Sequence, residues 1–228
     1  MLYPLYHLIN FFILLKVINA TRVINEKDFI NALTENYNEA LINITTEIDI
    51  KSNIIISKTI KKISILGNSY DSSILNIFQS LSFESTIDEI EIKNITINGN
   101  LNFINNKRVA LEFLIINSNI NSDFSDGSNE YVKLKNILYH PYKQLSYNCI
   151  NLSGNVFIEN SEFHGNSICR NRIIHYDGLK IYNLNIKYTK FSGEYQNSCL
   201  SIYNTYAEIN FSNFEKGFCS EDVDGGYI

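Results

Sequence analysis

His164, Arg172, His175 and Asp177 fall in one short span, within the fragments Phe163-His-Gly165, Arg170-Asn-Arg172 and His175-Tyr-Asp177-Gly178. Imidazoles exchange protons near neutral pH, a carboxylate can serve as a base and a guanidinium stabilises developing negative charge. A loop gathering these groups would therefore suit acid–base chemistry. The plainer alternative is that all four are polar residues facing solvent between structural elements. That alternative is adopted, and no catalytic residue is assigned.

Cys149, Cys169, Cys199 and Cys219 all lie in the second half of the chain. No Cys-x-x-Cys occurs among them, so a zinc site is not expected. The polar run Asn121-Ser-Asp123-Phe-Ser-Asp126-Gly127-Ser-Asn129-Glu130 has oxygen ligands suited to calcium. Its spacing matches no calcium loop, so it reads as a surface excursion. No metal and no cofactor are expected.

Met1 to Ala20 contains the apolar run Leu8–Ile18 and ends in a small residue, which predicts a secretory leader cleaved after Ala20. Lys16 interrupts the run, which is too short to remain as a membrane span. An even number of cysteines behind such a leader predicts disulfides in an oxidising compartment. Four cysteines allow three connectivities. Cys169 and Cys199 follow similar corners of neighbouring repeats, described below, and could meet across one strand spacing. That would leave Cys149 for Cys219. Asn-x-Ser/Thr sequons at Asn43, Asn94, Asn151 and Asn210 are candidate glycosylation sites, with another at Asn19 inside the leader.

The elements that position these residues are written as a repeat. Val156-Phe-Ile158-Glu-Asn160-Ser161-Glu-Phe163-His-Gly165, Leu184-Asn-Ile186-Lys-Tyr188-Thr189-Lys-Phe191-Ser-Gly193 and Ala207-Glu-Ile209-Asn-Phe211-Ser212-Asn-Phe214-Glu-Lys-Gly217 share one pattern. Two apolar residues at spacing two share one face of a strand, a polar corner turns the chain, and Phe re-enters the interior. Earlier copies begin at Ile90 and Phe113, so starts fall at 90, 113, 156, 184 and 207. The long gap before Val156 contains Tyr131-Val-Lys-Leu-Lys-Asn136-Ile-Leu138, which serves as an intervening coil. A period in the twenties indicates a solenoid. Leucine-rich repeats are disfavoured, because Ile and Phe predominate and no helix recurs. Asn94, Asn117 and Asn160 occupy one position of this alignment and predict an asparagine ladder, continued by Tyr188 and Phe211.

Upstream, Asn25-Glu-Lys-Asp28-Phe29 predicts a helix over 25–37 with Asn25 as its N-cap and Phe29, Ala32 and Leu33 on one face. Such a helix would cover the exposed apolar end of the first coil. The fold class expected is therefore all-β, a right-handed parallel β-helix over 21–228 behind the leader. The entry from Asn25 through Ile63-Ser-Ile-Leu-Gly67 resembles secreted β-helix proteins of the pectin-lyase-like class. The closing Asp222-Val-Asp-Gly225-Gly226-Tyr-Ile228 resembles coil starts of adhesin-like and polymorphic outer-membrane proteins. A final coil truncated near 222–228 would leave an open end for self-association.

The resemblance implies two outcomes. Catalytic members cleave polysaccharides as lyases or glycoside hydrolases, using clustered aspartates or a basic residue. Their Asn-Thr-Asp, Asp-Asp, Gly-His-Gly and Arg-Ile-Lys signatures are absent here. The expected role is therefore non-catalytic, structural or adhesive at a cell surface, with a polysaccharide or surface protein as partner. Tyr188, Tyr195, Tyr203 and Tyr206 are candidate contact residues. A net charge of −5, with Lys61-Lys62 and Lys107-Arg108 as isolated pairs, argues against nucleic acid.

Overall fold

In the computed structural model, residues 20–34, 38–57, 60–123, 131–141 and 146–218 are described. They form a parallel β-solenoid, every strand of which pairs in parallel with a strand of a neighbouring coil. A short strand, β1 (Thr21–Val23), leads into helix α1 (Glu26–Thr34). Three faces follow. The first holds β2 (Glu39–Ile44), β5 (Lys62–Gly67), the openings of β7 (Glu89–Ile104), β8 (Arg108–Asp123) and β9 (Tyr131–His140), then β11 (Asn155–Glu159), β14 (Asn183–Lys187) and β17 (Tyr206–Asn210). The second holds β3 (Glu47–Ile50), the start of β6 (Ile74–Phe83), the later parts of β7, β8 and β9, then β12 (Glu162–His164), β15 (Lys190–Ser192) and β18 (Asn213–Glu215). The third holds β4 (Ile54–Ile56), the ends of β6, β7 and β8, then β10 (Ser146–Ser153), β13 (Cys169–Asp177) and β16 (Ser198–Tyr203).

The core consists of columns running along the solenoid axis. Ala40, Ile63, Ile90, Val109, Val132, Val156, Leu184 and Ala207 are successive partners, so one coil takes between 19 and 28 residues. Two positions on, Ile42, Ile65, Ile92, Leu111, Leu134, Ile158, Ile186 and Ile209 form a second column. The β-branched and leucine side chains fit the half-buried pleat, and stacking like on like removes each from water. On the second face the column becomes aromatic, with Tyr139, Phe163, Phe191 and Phe214 at centroid separations of 5.8, 5.1 and 4.8 Å.

The corner between the first and second faces explains the repeated pattern. Asn94, Phe113, Asn136, Asn160, Tyr188 and Phe211 each take a left-handed backbone conformation, with φ between 49° and 56°. Asparagine tolerates that conformation at least cost among residues with a Cβ. Tyr188 and Phe211 offset the cost by stacking at 5.2 Å. The Ser/Thr that follows ties two coils together. Ser161 Oγ donates to the Glu159 carbonyl at 2.8 Å and accepts the Ile137 amide at 3.1 Å. Ser212 does the same with the Asn210 carbonyl and the Thr189 amide. The closing glycine is required by close passage, since a Cβ on Gly193 would collide with the carbonyl oxygens of Asn197 and Lys216.

Two parts of the repeat alignment require correction. The copy placed at Phe113 begins at Val109, because Val109 pairs with Ile90 and Val132, and Phe113 is the exposed corner residue. The expected ladder of Asn94, Asn117 and Asn160 therefore does not form. Asn117 lies on the second face, where it donates to Asn98 at 2.8 Å, and Asn98 donates to Asn76 at 2.7 Å. The intervening coil at Tyr131–Leu138 is present, as the first part of β9.

Helix α1 covers the apolar end of the first coil. Phe29, Ala32 and Leu33 are buried in the core. Asn25 Oδ1 accepts the Asp28 amide at 2.9 Å, and Glu26 accepts the amides of Lys51 and Ser52. Residues 35–37, which the sequence assigns to the same helix, lie outside the described residues, as do residues 1–19 of the expected leader and the closing segment 222–228. No helix among the described residues is long and apolar enough to cross a membrane.

Candidate functional site

The chain thus belongs by architecture to the parallel β-solenoids. The four residues singled out for acid–base chemistry separate into two groups on different faces. Arg172, His175 and Asp177 lie on β13, on the third face. The Arg172 guanidinium sits 5.9 Å from the Tyr203 ring, and its Nη2 donates to the Tyr203 hydroxyl at 3.4 Å. His175 Nδ1 lies 3.0 Å from Ser201 Oγ, and its ring tilts against Tyr203 at 5.3 Å. Asp177 accepts the Leu179 amide at 3.0 Å and the Asn204 side chain at 3.1 Å, which caps a turn. Each polar side chain is thus engaged by the next coil.

His164 lies on β12, on the second face. Its ring stacks on His140 at 4.7 Å, with Nε2 3.1 Å from Glu162 and Nδ1 3.4 Å from Glu194. Glu194 in turn accepts from Ser192 Oγ at 2.7 Å and meets Lys216 at 3.4 Å. His140 and Glu194 escaped the sequence reading because each belongs to a different coil. Only the register, His164 pairing with Ser192 and Phe163 with Tyr139, brings them together. Among the described residues no group of three or more His, Cys, Asp or Glu is placed to hold a metal ion. The run 121–130 is described in backbone only as far as Asp123.

On the first face the outward side chains form an ionic stripe, with Lys93 3.1 Å from Glu112 and Lys135 3.0 Å from Glu159. Lys62 and Lys107 join it through Glu91 and Asp88. The exposed pairs among them, such as Lys107–Asp88, contribute about 0–1 kcal/mol each and are screened by salt.

Burial, reinforced by His164, holds His140 below the ordinary imidazole value of 6.5. Burial, reinforced by Arg172, does the same for His175. Burial opposes ionisation of Glu91 and Glu112, but the ammonium groups of Lys93, Lys62 and Lys133 overcome it and hold both below 4.5. In every case the folded protein binds a proton less readily than the unfolded chain. The stabilisation is therefore complete above the unfolded value and is lost as pH falls through the folded one. The urea midpoint is expected to hold steady between about pH 7 and 8, fall gently below about 6.5, and drop steeply below about 4.5. Replacing His140 and His175 together by Gln should flatten the first decline and leave the second.

The disulfide joins Cys149 to Cys169, with Cα atoms 5.3 Å apart. This replaces the expected Cys169–Cys199 pairing. Strand β13 carries one extra residue between the pairs Ser146–Cys169 and Asn148–Arg172, beside the bonded Cys169. Cys199 falls opposite Ile173, between the pairs Arg172–Ser198 and Ile174–Leu200. Cys169 is already bonded to Cys149, which leaves Cys199 without a disulfide partner among the described residues. Cys199 is a buried free thiol, pushed up to about 11 by burial. Cys219 lies outside the described residues. With Cys169 paired to Cys149, the bond between Cys149 and Cys219 cannot form.

Of the four sequons, Asn94 presents an exposed side chain at a corner, whereas Asn43, Asn151 and Asn210 are half-buried. Tyr188, Tyr195, Tyr203 and Tyr206 are all exposed. Tyr188 lines a groove of about 640 Å³ along the corner column, which runs past Phe113, Asn136 and Asn160. Sequence reading missed it because Phe113 had been aligned as an inward residue. Comparisons with protein-family profiles, curated proteins and solved structures find no match to this chain.

Proposed function

We propose that this chain is an extracellular, non-catalytic solenoid of right-handed, pectin-lyase-like type that works by binding a polysaccharide or a surface protein. The observation that carries this reading is the dispersal of the acid–base candidates. His164 is enclosed by His140, Glu162 and Glu194 on one face, while Arg172, His175 and Asp177 are tied to Ser201, Tyr203 and Asn204 on another. Catalysis of glycosidic cleavage requires two groups flanking one bond, and the candidates are divided between two faces. A disulfide between Cys149 and Cys169 suits an oxidising compartment. The glycoside hydrolase or lyase reading rests on Arg172, His175 and Asp177 sharing β13.

The test is turnover. Purified protein should release no reducing ends or unsaturated products from pectin, alginate, xylan or β-glucan. The Arg172→Ala/Asp177→Ala double variant should bind its partner as the parent does. Product formation by the parent that disappears in the double variant, with folding intact by circular dichroism, would establish an enzyme instead.

A further inference from the structure

The groove along the corner column has a simple origin. Phe113, Asn136, Asn160 and Tyr188 are successive residues of one column, and the two asparagines are short where their neighbours are large. The result is a saddle, with a ring at either end and amides between. Three coil steps separate the rings, about 14 Å. Tyr70 stands beside the Phe113 end, and Phe211 stacks on Tyr188 beyond the other. Phe113 and Tyr188 are exposed by 46% and 56%, an expensive way to leave rings that the core could otherwise use.

We infer that this saddle binds an extended, uncharged oligosaccharide lying along the solenoid axis, with Phe113 and Tyr188 as stacking platforms and Asn136 and Asn160 as hydrogen-bond partners. The inference rests on the binding reading above and names its ligand class. Charge decides against an ionic ligand. Among the described residues the charged side chains lining the groove are Glu162 and Lys190, 3.4 Å apart, and Lys190 is held as well by Glu215 at 3.0 Å, so no cation is left over. An acidic polysaccharide or a phosphorylated partner would meet no surplus cation. A peptide adding as a strand is also disfavoured, because the floor backbones of β8, β9, β11 and β12 are already paired on both sides. A pyranose offers an apolar face for a ring and hydroxyls for an amide at every residue. Its repeat, close to one strand spacing, matches that of the corner column.

The experiment is calorimetric titration of the full chain with cellohexaose, laminarihexaose and mannohexaose, with hexagalacturonate as the anionic comparison. At least one neutral hexasaccharide should bind, with affinity unchanged between about 0.1 and 1 M salt, which screens ionic contacts. Phe113→Ala and Tyr188→Ala should each weaken binding about tenfold. Asn160→Tyr should abolish it by filling the saddle. That variant should fold, since Tyr188 already holds the same corner conformation. Phe78→Ala, exposed but outside the groove, should bind like the parent. Neutral binding unaffected by the three groove variants would overturn the groove assignment while leaving a carbohydrate-binding protein. Binding of hexagalacturonate alone would overturn the uncharged ligand class. No binding of any hexasaccharide would overturn the inference and leave a surface protein as the partner.

Discussion

Phe191→Ala is expected to cost about 3–5 kcal/mol and to bring the urea midpoint down sharply. Phe191 is fully buried between Phe163 at 5.1 Å and Phe214 at 4.8 Å, so truncation opens a cavity and breaks the stack on both sides at once. Phe163 would lose one neighbour and keep Tyr139, while the half-buried Phe214 would lose its only stacking partner among the described residues. Because contacts in a solenoid run between adjacent coils, the loss should concentrate in the last coils. Hydrogen exchange should therefore show amides of β17 and β18 losing protection before those of β5 and β7. Uniform loss of protection along the chain would contradict this nearest-neighbour picture.

Removing the disulfide should cost nearly as much. Cys149 and Cys169 enclose a separation of 20 residues, for which the chain-entropy relation gives about 3 kcal/mol. The Cys149→Ser/Cys169→Ser protein should unfold at a correspondingly lower urea concentration, and reductant should lower the parent to about the same point while leaving the double variant unchanged. Cys199→Ala should retain the reductant effect in full, because that thiol is free. Were Cys199 part of a bond, its substitution would abolish that effect, so the comparison checks the connectivity as well as the energy.

How much of this could be read from the chain follows from what each residue type constrains. The apolar pairs at spacing two, the corner Ser/Thr and the re-entrant Phe each answer to one local requirement, and they made coils at Val156, Leu184 and Ala207 readable without coordinates. The same holds for Asn25 and the buried face of α1. Phe113 misled because the left-handed corner accepts an asparagine or a stacked aromatic ring, and an aromatic residue in a strand pattern reads as core. The error shifted one copy and misplaced the asparagine ladder. The disulfide was hidden by a single extra residue in β13, which no periodicity reports. The groove was invisible for a related reason. It depends on the relative sizes of Phe113, Asn136, Asn160 and Tyr188, which become neighbours only when coils of unequal length are brought into register.

Along the column from Ala40 to Ala207, each residue's partner on the preceding coil lies 19 to 28 residues earlier. A sandwich of similar size must wait for distant strands, whereas here each new coil finds its template already built on the coil before it. Assembly can therefore follow the direction of synthesis, with α1 sealing the first coil and every later coil closing as it emerges. Apolar surface is then exposed over only one growing end at a time. A chain built this way can lengthen or shorten by whole coils without its earlier part having to fold again.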